Sequence, residues 1–323
     1  MHQWGNRAVK LLELWRIVLW IGFAIGTSLT LAGLTSPFEP AFDIANQLRL
    51  FILAGFAALL GLSYFAKSKW LLAAVAAGFS GNAVLAAAPF ATTAATSDSR
   101  DSSRLKIMSM NVHYDNEAYD KIASAVAAGD PDVIVFTEFE KHHEQALQPQ
   151  LAARYPHTTS CHTVGAHCDI GIYSKRPLLG APESTPYSKT TPSLLTVKIA
   201  TPNGGSLRVA GVHIHYPGSA LKQVSDIDWL IAKRNLWDGP LILAGDFNLT
   251  PWAALLSRFQ RATGLVRHGT LQRSWPSEGF PPNIPLVLID NVLTTPDIKA
   301  VSFETGQSVS SDHLPVLATV ALP

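Results

Sequence analysis

The 323-residue sequence has little cysteine, little charge and almost no net charge of either sign. It contains two cysteines and 15% charged residues, and its formal net charge is +1. A nearly neutral balance gives no overall support for a protein that binds polyanions. The chain also has no internal repeat at a fixed period, which argues against a solenoid. At this length we expect one large domain and an appendage.

The few charges are unevenly distributed along the chain. Up to Ala95 there are 6 Lys and Arg and 3 Asp and Glu, whereas 19 Lys and Arg and 21 Asp and Glu follow. The later part therefore has the composition of an ordinary soluble domain, and the first part does not.

Three long apolar runs fill the first part, at about residues 17–34, 50–66 and 70–91. A membrane-spanning helix needs about 20 mostly apolar residues. The first and third runs have this length, and the second is short but sufficient. We therefore predict a membrane anchor with three transmembrane helices in residues 1–91, in preference to buried helices of a water-soluble protein. A cleaved signal peptide at the third run is a further alternative.

Basic residues are concentrated in two segments outside the apolar runs. Arg7, Lys10 and Arg16 precede or open the first run, and Lys67 and Lys69 lie between the second and third. The positive-inside rule places both segments in the cytoplasm. Three crossings then put everything after the third run outside the cytoplasm.

A segment rich in Ser, Thr, Ala and Asp follows the anchor at residues 92–104. Its composition predicts a flexible linker. A linker of this length reaches at most about 45 Å when it is fully extended. We therefore expect the domain at 105–323 to work close to the membrane surface.

The two cysteines, Cys161 and Cys168, have six residues between them. In an exported domain such a pair can form a disulfide. The alternatives are two free thiols, or a zinc site completed by His162 and His167.

From residue 105 onward, short apolar runs alternate with helical patterns, which predicts an α/β domain with mixed sheets. The predicted strands are 105–110, 132–137, 170–174, 194–199, 207–215, 241–244, 286–293 and 314–320. The predicted helices are 117–128, 140–154, 219–235 and 252–260. His142 and His143 fall on the second helix and are interpreted as part of a solvated face.

Polar residues recur at the ends or margins of these apolar strands, where side chains of a layered fold converge on one site. They are Asn111, Glu138, His213, Asp246, Asn248, Asp290, Asp312 and His313. Two carboxylates, an amide and an imidazole are what the cleavage of a phosphate ester beside a divalent metal ion requires.

The motifs that contain these residues, and their order along the chain, resemble those of the endonuclease/exonuclease/phosphatase superfamily. This superfamily includes DNase I-like nucleases, sphingomyelinases and inositol-phosphate phosphatases. The resemblance covers about residues 105–322 and implies a four-layered α/β sandwich, two packed mixed β-sheets flanked by helices. The motifs are Met110-Asn111-Val112, Thr137-Glu138, Val212-His213-Ile214, Gly245-Asp246-Phe247-Asn248, Ile289-Asp290-Asn291 and Ser311-Asp312-His313.

With its apolar runs, the chain is most similar to the membrane-anchored bacterial branch of this superfamily. That likeness implies a multi-pass protein of the bacterial inner (cytoplasmic) membrane with an extracytoplasmic catalytic domain. Some members of the branch act on polyprenyl diphosphate.

The resemblance implies Mg²⁺ or Mn²⁺ as cofactor, with Glu138, Asn111 and Asp312 at the metal. It implies that Asp246 orients or deprotonates the attacking water, and that Asn248 donates to a phosphoryl oxygen.

The resemblance also implies two histidine roles. His313 is expected in the site with Asp290 accepting its ring N–H, and His213 is expected to donate to the phosphate or the leaving group. His215 lies two residues later on the same strand face and is the alternative to His213.

Two positions depart from the family pattern. Asn291 stands where an aromatic residue or histidine often follows the aspartate, which weakens the assignment of Asp290. His113 stands near the place where some nucleases have a second metal-site aspartate, which favours a single main ion.

The sequence thus predicts a membrane-anchored, metal-dependent phosphohydrolase that acts by direct attack of water at phosphorus, with a phosphate ester or lipid-linked diphosphate as substrate. An extracytoplasmic nuclease is the first alternative, although the domain offers little basic surface for nucleic acid. The second alternative is an inactive binding or sensor module.

Overall fold

A computed structural model describes residues 2–91, 104–279 and 283–323, with side chains from residue 10 onward. The chain divides into two compact units. The first contains residues 1–92 and Trp252–Ala254, and the second contains residues 93–251 and 255–323. The predicted linker, apart from Arg104, lies outside the described residues.

The first unit is helical and has its own apolar core around Phe56, which is 1% exposed. Two of its segments, Lys10–Thr35 and Lys69–Phe90, are long and apolar enough to cross a membrane. Its helices are α1 His2–Thr35, α2 Asp43–Gln47, α3 Arg49–Phe65 and α4 Lys69–Ala87.

The second of the three predicted spans has a different form in the structure. The helix α3 has 17 residues and meets the length requirement only together with Pro40–Gln47, from which it is bent by 57°. The chain turns at Leu48, which has non-helical backbone angles and shortens the straight apolar helix. The expectation of three spans is therefore met for two helices.

A buried polar cluster lies inside this helical unit. The guanidinium of Arg49 donates to Asn46 Oδ1 and to Asn82 Oδ1, and Asn46 Nδ2 donates to the carbonyl of Gly33. A Cβ on Gly33 would meet Asn46 Oδ1 at 2.4 Å, so only glycine permits this approach. Polar side chains that join helices in this way stabilise bundles whose outer surface is apolar.

The second unit contains two six-stranded mixed sheets. The first sheet has the order β11-β12-β1-β2-β4-β3, and the second has the order β5-β6-β7-β8-β10-β9. The strands are β1 Arg104–Asn111, β2 Val133–Thr137, β3 His157–Ser160, β4 Ile170–Ser174, β5 Leu178–Thr185, β6 Ser193–Ala200, β7 Ser206–His213, β8 Leu241–Asp246, β9 Val266–His268, β10 Asp290–Thr294, β11 Lys299–Thr305 and β12 Val316–Ala321.

Each sheet has one parallel pair at its centre, β1 with β2 and β7 with β8. The inner faces of the two sheets share one apolar core, to which β1, β2, β4, β6, β7, β8, β10 and β12 all contribute. At Gly211 in β7 a Cβ would meet Ile170 Cγ2 at 2.6 Å and Val135 Cγ1 at 2.8 Å, so the sheets pack closely there.

Four helices flank the sheets, α5 Tyr119–Gly129, α6 Lys141–Leu151, α7 Ala220–Arg234 and α8 Ala254–Thr263. The helices α5 and α6 pack their apolar residues in a second core with the outer face of the first sheet. The unit is therefore an α/β sandwich, as predicted.

The interpretation of His143 as a solvated residue is wrong. Its side chain is fully buried, and its Nδ1 accepts a hydrogen bond from the backbone N–H of Glu140 at 3.0 Å. The carboxylate of Glu140 in turn accepts from the backbone N–H of His143, which completes a capping box at the start of α6. Two charged neighbours, Glu140 and Lys141, made a structural cap look like part of a polar surface.

Candidate active site

Strand register brings the predicted polar residues to one edge of both sheets. In the second sheet, His213 of β7 is paired with Asp246 of β8, which is paired with Asp290 of β10. In the first sheet, Asn111 ends β1, and Glu138 directly follows β2. Since β10 runs antiparallel to β8, the start of β10 lies beside the end of β8.

The carboxylate of Asp246 lies at the centre of this group and is 2% exposed. Its Oδ2 is 3.7 Å from His313 Nε2 and 3.9 Å from His213 Nε2. The same oxygen accepts a hydrogen bond from Asn111 Nδ2 at 3.2 Å. The predicted residues His313, His213 and Asn111 thus surround Asp246.

Each of the two histidines is oriented by its own aspartate. His313 Nδ1 is 2.8 Å from Asp290 Oδ2, and His213 Nδ1 is 2.7 Å from Asp169 Oδ2. An ionised carboxylate can only accept a hydrogen bond, so each Nδ1 carries the proton. The Nε2 of both rings therefore faces Asp246.

This arrangement changes the proton affinity of all three central groups. Burial opposes a charged imidazole at His213, but the charge of Asp169 and its hydrogen bond outweigh it and raise the pKa of His213 to about 10. Burial likewise opposes the charge on His313, and Asp290 and Asp246 outweigh it and raise its pKa to about 10. Burial is the main cause that raises the pKa of Asp246 to about 6, against the attraction of His313.

Glu138 is held beside Asp246 by an amide and a backbone N–H. Its Oε1 accepts from Asn111 Nδ2 at 2.9 Å, and its Oε2 accepts from the N–H of Tyr114 at 3.0 Å. The residue has a left-handed φ of 54°, which turns the chain directly after β2. Asn111 Oδ1 accepts from the N–H of His113, so the amide of Asn111 presents its nitrogen to the two carboxylates.

The turn after β8 holds the carboxylate of Asp246 by hydrogen bonds. The backbone N–H of Asn248 donates to Asp246 Oδ1 at 2.8 Å, and Asn248 has a left-handed φ of 48°. Asn248 Nδ2 donates to the carbonyl of Ile214 at 2.9 Å and lies 3.5 Å from Asp246 Oδ2. The predicted Asp246 and Asn248 are thus adjacent in space as well as in sequence.

The donor set fits a divalent metal ion. Oxygen and nitrogen atoms of Glu138, His213 and Asp246 lie within 4.8 Å of one another, as do those of Asp246, Asp290 and His313. Asp290 Oδ1 is buried and has no hydrogen-bond partner among the described residues. Clustered carboxylate oxygens are the ligands that Mg²⁺ and Mn²⁺ prefer.

Asp312, predicted beside the metal, belongs to neither of these two groups. Its Oδ2 accepts a hydrogen bond from the indole Nε1 of Trp275 at 3.0 Å. Asp312 does line the same cavity as Glu138.

The two candidate histidines of β7 and its following turn have different surroundings. His215 is 2% exposed, its Nδ1 is 2.7 Å from Asp226 Oδ2, and its ring stacks on Tyr187 with centroids 4.4 Å apart. His213, in contrast, lines the cavity and faces Asp246. The structure therefore groups His213, rather than His215, with the other candidate residues.

Asp169 is the residue of this site that the sequence analysis missed. It directly precedes β4, and β4 runs antiparallel to β2, so its start lies beside Glu138 at the end of β2. The signal was available as a polar residue before a predicted strand.

A cavity of about 590 Å³ opens beside these groups. It is larger than a phosphate ion needs and has room for a leaving group. Its lining consists of His113, Tyr114, Glu138, Glu140, His162, Ala166, His167, Cys168, Asp169, Tyr187, Ser193, His213 and Asp312.

A disulfide joins Cys161 to Cys168 in the structure. In this arrangement neither sulfur is a thiolate that could bind zinc. His162 Nε2 is 2.9 Å from the carbonyl of Phe139, and His167 lines the cavity.

A sandwich of two mixed sheets, with buried carboxylates and two His–Asp pairs at one edge, is the arrangement of an enzyme that hydrolyses phosphoesters. The profile of the Endonuclease/Exonuclease/phosphatase family matches residues 108–313. This is more than half of the chain, and the chain belongs to that family.

Solved structures with the same fold are similar over about two thirds of this chain. An endonuclease/exonuclease/phosphatase from Beutenbergia cavernae has 24% identity and a TM-score of 0.54, over 68% of this chain and 72% of that one. The mannosyl-6-phosphatase of Bacteroides thetaiotaomicron has 15% identity and a TM-score of 0.55, over 68% and 100%. D. rerio TDP2 complexed with single-strand DNA product has 18% identity and a TM-score of 0.55, over 68% and 99%. No curated protein sequence matches the chain.

Proposed function

We propose that this protein is a membrane-anchored, Mg²⁺-dependent phosphohydrolase that cleaves a lipid-linked phosphate or diphosphate. The observation that carries the proposal is the buried carboxylate of Asp246 between the Nε2 atoms of His213 and His313. This is the geometry needed to move a proton from water while two cationic donors face the phosphoryl group.

Asp246 is assigned the role of accepting the proton of the attacking water. Burial raises its pKa to about 6, so at neutral pH it is ionised and yet more basic than an ordinary aspartate. Asn111 and the backbone of Asn248 hold its two oxygens by hydrogen bonds and fix its orientation.

His213 and His313 are assigned the roles of donors to the phosphoryl oxygens and the leaving group. With their pKa raised to about 10, both imidazoles are protonated at neutral pH. Each ring donates its Nδ1 proton in a hydrogen bond to an aspartate and presents its Nε2–H to the substrate. Positive donors placed in advance stabilise the charge that develops on oxygen as water adds to phosphorus.

Glu138 is proposed to hold the cation, and Asn111, whose amide nitrogen donates to Glu138 and to Asp246, keeps the two carboxylates in place. A divalent cation supplies neutralisation of phosphoryl charge. The family membership supports metal dependence.

A lipid-linked substrate is proposed because of the apolar helices. Two segments are long and apolar enough to cross a membrane, and a third does so if its bent halves form one span. With three crossings and the basic residues at Lys67 and Lys69 in the cytoplasm, the catalytic unit lies outside the cytoplasm. A phosphate carried on a lipid of the outer leaflet would then lie on the same side of the membrane as the catalytic unit.

The test is phosphate release from a polyprenyl diphosphate by the full-length protein in detergent, with and without Mg²⁺. We expect release that EDTA abolishes and Mg²⁺ restores, and that His313→Ala reduces by about 10²–10⁴-fold. His157→Ala is the matched control, because His157 is a partly exposed histidine of β3 outside the cavity lining.

If folded wild-type protein releases no phosphate from this lipid, the lipid assignment is wrong. Single-strand DNA and phospholipid diesters would then be assayed under the same conditions. Cleavage of DNA alone would establish the nuclease alternative, and no cleavage of any substrate would favour a binding module.

A further inference from the structure

The loop between β3 and β4 reaches the candidate site at two places. Its last residue is Asp169, the carboxylate that lies 2.7 Å from His213 Nδ1, and Cys168 directly precedes it. The loop also forms one wall of the cavity, through His162, Ala166, His167 and Cys168.

The backbone at Asp169 and at the residue after it is held by two hydrogen bonds. The carbonyl of Asp169 accepts a hydrogen bond from the N–H of Phe139 at 2.8 Å. The carbonyl of the next residue, Ile170, accepts from the N–H of Cys161 at 2.9 Å. The first of these bonds joins Asp169 to the segment after β2, and the second joins the start of β4 to the first residue of the loop.

The backbone of the two residues before Asp169 is held by fewer hydrogen bonds. Within the described residues, the backbone of His167 and Cys168 makes one hydrogen bond, from the N–H of Tyr187 to the carbonyl of His167 at 2.9 Å. Tyr187 is itself 47% exposed. The disulfide from Cys168 to Cys161, just after the end of β3, is the strong connection of this segment.

We propose that the Cys161–Cys168 disulfide is a positioning element of the active site, which fixes Asp169 and through it the ring of His213. The inference rests on the proposed function, because it concerns the rate of that hydrolysis. The disulfide closes a short loop, so its effect on global stability is expected to be modest. Its larger effect is expected on kcat, because a displaced Asp169 leaves the imidazole free to rotate.

The packing of the loop supports this division of roles. Cys161 is fully buried in the core between the sheets, and Val164 and Ala166 pack against that core. The body of the loop is therefore anchored by apolar contacts whether or not the sulfurs are joined. Cys168 is 7% exposed and belongs to the same core. The disulfide adds the covalent connection that fixes its backbone directly before Asp169.

The test compares Cys161→Ala/Cys168→Ala, Asp169→Asn and the combination of the three substitutions. Initial rates with bis(p-nitrophenyl) phosphate and Mg²⁺ are measured on full-length protein in detergent. We expect Asp169→Asn to lower kcat about 10–100-fold and the cysteine pair to lower it several-fold, with KM changed less than about twofold. In the Asp169→Asn background, loss of the disulfide should change kcat by less than about twofold.

Ile298→Val is the control for simple destabilisation. Ile298 lies in the core between the sheets and contributes no atom to the cavity lining, so this variant should lose thermal stability and keep its kcat. If the cysteine variant does not fold, the disulfide is reduced in folded wild type with a phosphine. The phosphine supplies two electrons and is oxidised, and two protons from water complete the thiols.

The outcomes separate the inference from the function on which it rests. Hydrolysis of neither this diester nor the lipid by oxidised wild type means that the proposed function fails. Active wild type with an unchanged kcat after loss of the disulfide overturns the inference alone. The inference is also overturned if the fold-losses in kcat of the cysteine variant and of Asp169→Asn multiply in the combined variant. The disulfide would then act on kcat by a route that does not involve Asp169.

Discussion

At the scale of single residues, the central feature is an aspartate between two histidines, each of which donates its Nδ1 proton to a further aspartate. Asp290 and Asp169 hold the Nδ1 protons of His313 and His213, and Asp246 faces both Nε2 atoms. The aspartate behind each ring decides which nitrogen can donate to a substrate. It therefore contributes to the chemistry without touching the substrate.

We predict that Asp290→Asn lowers kcat about 10–100-fold, because the amide keeps the shape of the residue and removes the charge that holds His313 protonated. Adding His313→Ala should give the rate of His313→Ala alone, since Asp290 acts through that ring. The measurement is kcat for the single and double variants. Asp297→Asn, at an exposed aspartate, is the control and should be unaffected. Fully multiplicative losses would contradict the prediction.

Much of the site's composition could be predicted from sequence, because strand ends in a layered fold meet at one edge. Asn111, Glu138, His213, Asp246 and the Asp290–His313 pair were found in this way and lie together in the structure. The direction in which a side chain points could not be predicted. Asn111 presents its nitrogen to two carboxylates, and Asp312 bonds an indole, because of neighbours that are distant in sequence.

At the scale of elements, the end of β8, which brings Asp246 to the site, depends on one glycine. Gly245 has φ +148° and lies against β7, where a Cβ would meet the carbonyl oxygen of Val212 at 1.9 Å. A side chain there would push apart the parallel strands that carry His213 and Asp246.

We predict that Gly245→Ala destabilises the protein by more than about 3 kcal/mol, through steric overlap together with backbone strain. Gly239→Ala is the matched control, because Gly239 also has a positive φ but nothing lies within 4 Å of its Cβ position. The control should cost about 1 kcal/mol. The measurement is thermal unfolding of both variants. Equal losses of unfolding free energy would show that the overlap with the Val212 carbonyl does not contribute.

The start of α6 makes stability depend on pH. Burial and the charge of His142 lower the pKa of His143 from 6.5 to about 4, and its Nδ1 must stay unprotonated to accept from Glu140. A group with a lowered folded-state pKa adds stability that is complete above pH 6.5 and is lost as the pH falls through 4.

We predict that the wild type loses about 2–3 kcal/mol through this group between these pH values, because each unit of pKa shift is worth about 1.4 kcal/mol. Glutamine can accept the same hydrogen bond and does not titrate, so His143→Gln should lose less stability over that range. Unfolding midpoints of both proteins at pH 7.5, 5.5 and 4.5 test this. Parallel pH curves would count against a role for His143.

The accuracy of the strand predictions follows the position of each strand in its sheet. All eight interior strands correspond to predicted apolar runs, although the run at 286–293 is displaced from β10, which is Asp290–Thr294. The four strands that were not predicted, β3, β5, β9 and β11, are the four edges of the two sheets. An edge strand has one neighbour and more solvent contact, so it needs no continuous apolar run, as the largely exposed β5 and β11 illustrate.

At the scale of the whole molecule, apolar length and basic flanks predict a membrane protein with its catalytic unit outside the cytoplasm. The second apolar run shows the limit of that reasoning. Composition gives the length of a run, but whether it forms one straight helix depends on the local turn at Leu48.

The predicted topology can be tested with single introduced cysteines and a thiol reagent that does not cross membranes. Leu236→Cys, at a position 74% exposed in the catalytic unit, should be labelled in intact cells. Ser68→Cys, between α3 and α4, should be labelled only after the cells are opened. The reverse pattern would place the active site in the cytoplasm.

The order of β1 and β12 in the first sheet has a consequence for synthesis. These two strands are neighbours, and the Ser311 hydroxyl donates to the carbonyl of Asn111 at 2.8 Å across 200 residues of sequence. Asp246 obtains its second imidazole only when the segment that carries His313 has docked beside β1. A nascent chain that has not yet delivered this segment therefore has no complete site, so the proposed hydrolysis would begin only after the catalytic unit is fully synthesised and folded.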